Sequence, residues 1–227
     1  MNKIILLLFC FYGFASSAQT GFFLQPQAGF GSSGVLAHDN LKLGTYKNIG
    51  ATKVSVYDCQ LGVGYHIKHL EISSGIFYLR SGYYEHTLNG YMFSIDTKTT
   101  QYYNHIALPV IAGYRFRLGK RLSIAPGFDY EISYNFSDDK TINQDGVVTN
   151  QKLTGSDFTS QYRSASLWAL MRLGAGYGLN KKIIILFSPE YHSMLSSLLP
   201  GGYNVASYQY SRIFSLNAGI LWILGKK

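Results

Sequence analysis

Of the chain's 227 residues, two are cysteine, five are proline and two are tryptophan, and only 14% are charged. Each shortage excludes something. Two cysteines cannot supply the disulfide framework of a small secreted domain. The charged fraction falls well short of the roughly 25% of an ordinary soluble domain. Beyond residue 18 there is no apolar run of 18 residues, so no transmembrane helix is expected. The formal net charge of +8 is not gathered into basic runs interleaved with aromatics, which argues against a nucleic-acid partner. What the chain has instead is 24 Gly, 19 Tyr and 14 Phe. Its mean hydropathy is close to zero, far below that of a helical membrane bundle. A barrel whose lipid-facing and lumen-facing residues alternate averages out in this way.

The first 18 residues read as a secretory signal peptide. Lys3 supplies the positive charge, residues 4–14 are apolar, and small Ser16 and Ala18 place the cleavage before Gln19. Phe9 before Cys10 is too large for lipoprotein processing, so lipidation at that cysteine is not expected. Cleavage removes one Lys and leaves Cys59 as the sole cysteine, which excludes an intramolecular disulfide. The expected organisation is a signal peptide, 1–18, and one barrel domain, 19–227.

Eight segments alternate apolar and polar: 22–31, 54–67, 70–84, 104–118, 122–136, 162–179, 183–194 and 209–224. The fifth shows the period most cleanly. Leu122, Ile124, Pro126, Phe128, Tyr130, Ile132, Tyr134 and Phe136 share one face, and Ser123, Ala125, Gly127, Asp129, Glu131, Ser133 and Asn135 share the other. A period of two residues is that of a strand. The third segment is less regular, because Phe77 and Leu79 fall on its polar face.

Connections 68–69, 119–121 and 180–182 are tight; 32–53, 85–103, 137–161 and 195–208 are long and polar. Three short turns and four long loops account for eight antiparallel strands in up-and-down order. The fold class expected is therefore an all-β, eight-stranded antiparallel transmembrane β-barrel of the bacterial outer membrane. Short turns and both termini are expected in the periplasm. The turns carry Lys68, Lys120, Arg121, Lys181 and Lys182 with no acidic residue, a basic rim suited to lipid head groups. Tyr65, Tyr78, Tyr114, Phe116, Tyr134, Phe136, Tyr177, Tyr191 and Trp222 fall on outward faces, as aromatic girdles do.

The bore of an eight-stranded barrel is just wide enough for side chains to fill it. The inward faces carry a charge network of Asp58, Glu71, Arg115, Arg117, Asp129, Glu131, Arg172, Glu190 and His192, with Gln60, His66, His105 and Asn217 beside it. Buried charges need partners, so Arg115 and Arg172 are expected to pair with Asp129, Glu131 or Glu190 and to plug the bore. His192 with Ser193, Ser196 and Ser197 nearby invites comparison with a hydrolytic triad. Ser193, however, lies on the opposite face, and Met194 stands where a His-x-Ser spacing would need serine. His38, His66, His69, His86, His105 and His192 are scattered, with only the turn neighbours His66 and His69 close in sequence. Gly62-Val63-Gly64 and Gly174-Ala175-Gly176-Tyr177-Gly178 alternate within strands and precede no helix, unlike a phosphate loop. No catalytic residue, cofactor or metal is expected.

His105-Ile106-Ala107-Leu108-Pro109-Val110-Ile111-Ala112-Gly113-Tyr114-Arg115-Phe116 resembles a characteristic strand of PorT-like outer-membrane β-barrel proteins of Bacteroidetes-type bacteria. Pro189-Glu190-Tyr191 is similar to a late strand of that family, and the Gly119-Lys120-Arg121 turn also fits. The resemblance covers residues 19–227 and implies a barrel type more than an activity; the family's namesake is linked to assembly of a secretion and gliding apparatus. The chain departs from many outer-membrane barrels in ending Leu224-Gly225-Lys226-Lys227, with Trp222 its last aromatic. The expected function is a non-enzymatic scaffold, anchor or adhesion and secretion-assembly component acting through external loops. A lipid-A-modifying enzyme and a small porin are the alternatives. Expected partners are outer-membrane lipid and lipopolysaccharide, the barrel-insertion machinery, and secretion or gliding proteins, with no nucleic acid.

Overall fold

The computed structural model describes residues 21–38, 47–89, 95–196 and 208–224. The expected signal peptide, Ser197 and the two C-terminal lysines lie outside the described residues. The elements in order are β1 (Gly21–His38), β2 (Lys47–Thr52), β3 (Val54–Ile67), β4 (Leu70–Asn89), β5 (Ile95–Tyr114), β6 (Phe116–Leu118), β7 (Leu122–Gln144), β8 (Val147–Thr154), α1 (Gly155–Gln161), β9 (Ala165–Gly178), β10 (Ile183–Met194) and β11 (Tyr208–Ile223).

The strands close into a ring. Each stave pairs antiparallel with its neighbour in the order β1, β3, β4, β5, β7, β9, β10, β11. The first and last staves then join from Phe23↔Ile223 to His38↔Tyr208. β6 continues β5 past Arg115 and pairs with the same neighbour, β7. The result is a closed eight-stranded up-and-down barrel with no open edge around its wall.

Burial is inverted relative to a soluble protein. On β5 and β7, Val110 is 68% exposed and Ile132 is 65% exposed, while Glu131 between them in the wall is 0% exposed. The period-2 alternation puts Ile, Leu, Val and Phe outside and Ser, Gln, Asp and Glu inside. A continuous apolar outer face of this extent needs lipid around it.

The staves run further than the sequence reading placed them. Stretches 32–53, 85–103 and 137–161, read there as loops, are largely strand. β4 and β5 stay zipped up to Asn89↔Ile95. β2 adds itself to β4 beyond the barrel, and β7 folds back through Asp145-Gly146 onto β8. Both turn residues have positive φ, 49° at Asp145 and 87° at Gly146, which is the two-residue hairpin geometry that an Asp-Gly pair favours. The sixth stave begins at Ala165 and not at residue 162, because 155–161 form α1. The physical reason is common to all these differences. Above the lipid both faces of a hairpin are wet, so it shows no hydropathy alternation.

Candidate functional site

The bore is the candidate site, and it is built in layers from the turn end upward. In the first, Arg115 donates to Glu71 Oε2 from Nε at 3.1 Å and from Nη2 at 2.9 Å. Its Nη1 donates to Ser123 Oγ at 3.2 Å. Arg172 approaches the same carboxylate, Nη2 to Oε1, at 3.9 Å. All three side chains are buried.

This corrects the expected pairing. Neither arginine forms its ion pair with Asp129, Glu131 or Glu190; both converge on Glu71. Glycines explain the choice. A Cβ at Gly127 would lie 2.9 Å from Arg172 Nε, and one at Gly113 would lie 4.0 Å from Nη2. Arg172, on β9, therefore lies flat against the wall across β7 and β5 to reach Glu71 on β4. The cross-strand neighbour of Arg172, Glu190, is left for another partner.

That partner is His192. Its Nδ1 stands 3.3 Å from Glu131 Oε2 and its Nε2 3.5 Å from Glu190 Oε2, all fully buried. A carboxylate at each ring nitrogen suits an imidazolium, which donates from both. Gln60 Nε2 donates to Glu190 Oε2 at 2.8 Å and reaches Asp58 Oδ1 at 3.4 Å. Asp129 also points into the bore, buried, and makes no salt bridge among the described residues. Arg117 lies half-buried at the turn-end mouth.

Beside these charges at the same level of the wall lies an apolar cluster, Phe77, Leu79, Ala107, Ile111 and Leu170; Leu170 is the cross-strand neighbour of both Asp129 and His192. The irregularity of the third segment is thus a real feature of the wall, since Phe77 and Leu79 are core residues of the bore. Above them His105 Nε2 meets Ser81 Oγ at 2.8 Å, and its Nδ1 meets Asn135 Oδ1. Trp168 Nε1 donates to Ser133 Oγ at 2.9 Å.

The loop end is shut by a plug that the sequence reading missed. α1 inserts Phe158, fully buried, among Val54, Val56, Tyr103, Trp168, Met194 and Ile213. Tyr162 packs on it, with ring centroids 5.2 Å apart. Gln101 Nε2 ties the rim together, donating to Asp138 Oδ2 at 2.7 Å and Tyr162 Oη at 2.8 Å. The available signal was a lone Phe158 in an otherwise polar stretch.

The remaining candidates are dispersed. Ser193 lies on the outward side of β10, and Ser196 Oγ accepts from the Leu167 amide at 2.9 Å. His192 faces the bore between its two carboxylates, away from both hydroxyls. Among the described residues, no group of three or more His, Cys, Asp and Glu side chains is placed to hold a metal ion. Cys59 is exposed on the outer face.

No protein-family model matches the chain, and no curated protein matches it. Similar solved structures include outer-membrane proteins. Neisserial surface protein A aligns with a TM-score of 0.44 at 15% identity, over 92% of this chain and 100% of that one. OprG from Pseudomonas aeruginosa gives 0.44 at 10% identity, over 93% and 99%. Ail, the attachment invasion locus protein of Yersinia pestis, gives 0.38 at 15% identity, over 90% and 100%.

Proposed function

We propose that this chain is a bacterial outer-membrane protein that holds a protein-binding surface at the cell exterior and neither conducts nor catalyses. One observation supports this reading above the others: the bore is filled while the wall is extended. Ion pairs and an apolar cluster share the lumen, and the Phe158 plug shuts its loop end. The β7–β8 hairpin meanwhile projects beyond the lipid-facing belt. Val147 is 68% exposed on it, and among the described residues β8 pairs only with β7. An unpaired strand edge flanked by exposed valines is suited to a partner's extended segment. In this reading the termini and tight turns face the periplasm. The barrel's other partners are lipid, lipopolysaccharide and the insertion machinery. The resemblance to PorT-like barrels makes secretion or gliding proteins the partner class to test first.

The test replaces residues 139–152 with an Asn-Gly turn, which keeps the Asp138↔Leu153 register. The shortened protein is expected to insert and keep its heat-modifiable gel mobility, but to lose cross-linking to its partner on intact cells. Full cross-linking by the shortened protein would refute the reading. So would stable single-channel conductance of the wild type in a planar bilayer, or a change in lipid A mass caused by His192→Ala.

A further inference from the structure

At the turn end the bore opens into a cavity of about 320 Å³ whose charged lining is entirely basic: Arg115, Arg117, Lys120, Arg121 and Lys181. On the outer face of the same staves lies a second hollow, of about 360 Å³, lined chiefly by Leu122, Ile124, Ala175, Tyr177, Ile185 and Phe187. Its floor is small because Ala175 stands between Ile124 and Phe187 of the neighbouring strands. The two hollows share Leu122 and Ser123. They meet at a fixed joint: Arg121 Nη1 donates to Tyr177 Oη at 2.9 Å, and its guanidinium carbon is 5.9 Å from that ring's centroid. A cationic corner is thus held at the head of an apolar groove.

We propose that this corner binds one anionic phospholipid of the turn-side leaflet, its phosphate among Lys120, Arg121 and Lys181 and one acyl chain along the Ala175 groove. Contiguity argues for an amphiphile. A free anion would use the basic corner and leave the groove unfilled; a neutral hydrocarbon would do the reverse. The sign of the corner selects within lipids, since a zwitterionic head group brings its own cation to a lining that has no carboxylate. The proposal rests on the reading that the barrel sits in a bilayer.

Trp222 reports on the site. It is lipid-facing and pairs with Ile183, two residues from Ile185 of the groove, whereas Trp168 is buried at the far end of the bore. The barrel is refolded into phosphatidylcholine vesicles containing graded fractions of phosphatidylglycerol with brominated chains, and in parallel brominated phosphatidylcholine. Quenching by the anionic lipid is expected to saturate at a lower mole fraction. Each basic group at the surface contributes about a fivefold preference. Lys120→Gln with Arg121→Gln should therefore cut the preference by about 25-fold, or to parity. Ala175→Phe should remove it while leaving the charges in place; if that variant fails to fold, the charge variant alone decides. Excess inorganic phosphate at matched ionic strength should change nothing. Equal quenching by the two lipids would overturn the proposal, and displacement by phosphate would assign the corner to a free anion instead. Quenching by neither lipid would overturn the bilayer reading itself.

Discussion

Glu71→Gln is the sharpest test of how the bore is held. Glu71 accepts two hydrogen bonds from Arg115 and faces Arg172 at 3.9 Å, with only 1% of its side chain exposed. Glutamine keeps the volume and one acceptor but removes the charge. Two guanidinium groups, 9% and 6% exposed, would then share the bore without their counter-ion. Removing one partner of a buried pair costs about 3–5 kcal/mol. An exposed pair such as Lys152–Asp139, 3.8 Å apart with the lysine side chain 67% exposed, is worth at most about 1 kcal/mol. The assay is reversible urea unfolding of the barrel in lipid vesicles, followed by tryptophan fluorescence and gel mobility. The midpoint should fall with the slope unchanged, since the surface exposed on unfolding is the same. Glu71→Gln with Arg115→Met should recover much of the loss, because it removes one of the two orphaned cations. A loss below about 1 kcal/mol for Glu71→Gln would refute the convergence of both arginines on that carboxylate. A larger loss for Asp129→Asn than for Glu71→Gln would restore the pairing first expected from the sequence.

Three other perturbations probe the wall, the plug and the extension. Gly127→Ala places a Cβ 2.9 Å from Arg172 Nε and 3.2 Å from its Cγ. It should cost about 1–3 kcal/mol by overpacking in the same unfolding assay. Phe158→Ala empties the plug at a cost of about 3–5 kcal/mol. Phe77, Leu79 and Leu170, with the buried ion pairs beside them, still fill the bore, so planar-bilayer conductance should stay absent. His86 Nε2 bonds Asp96 Oδ1 at 2.6 Å in the β4–β5 extension, and that bond, with Lys98 3.4 Å from Oδ2, lowers the Asp96 carboxyl below its usual range. A depressed carboxyl stabilises the folded hairpin above the unfolded value, near 3.9, and the contribution disappears as pH falls through the lower folded value. Protection of the Thr97 and Lys98 amides, taken as their hydrogen-exchange rate relative to the intrinsic rate at each pH, should fall over that acid window, and Asp96→Asn should abolish this pH dependence of the protection.

Strand existence and facing were legible in the sequence wherever lipid touches the wall. Residues 122–136 and 165–178 alternate as read, because the bilayer demands an apolar residue at every second position and leaves no freedom to blur the pattern. Above the belt that demand ends. Residues 137–144 pair as regularly as those below them, yet their Asp, Lys, Thr and Asn give no hydropathy signal. Only Asp145-Gly146 marked that hairpin, and it marked it by turn chemistry.

Partners inside the bore were not legible for a different reason. Facing is a property of one strand, whereas an ion pair is a property of the ring. Arg172 and Glu190 are cross-strand neighbours, and opposite charge alone would join them. What decides against it is the bare backbone at Gly127 and Gly113, which opens a path across two staves to Glu71, together with a histidine that already lies between Glu190 and Glu131. The glycines of the lumen therefore act on charge pairing as much as on the curvature of the wall. A Cβ at Gly127 would press on Arg172, 2.9 Å from its Nε, and oppose that path, whereas one at Gly113 would meet Nη2 only at 4.0 Å. The network is specific because an uncharged, sideless residue stands where a competing contact would otherwise form.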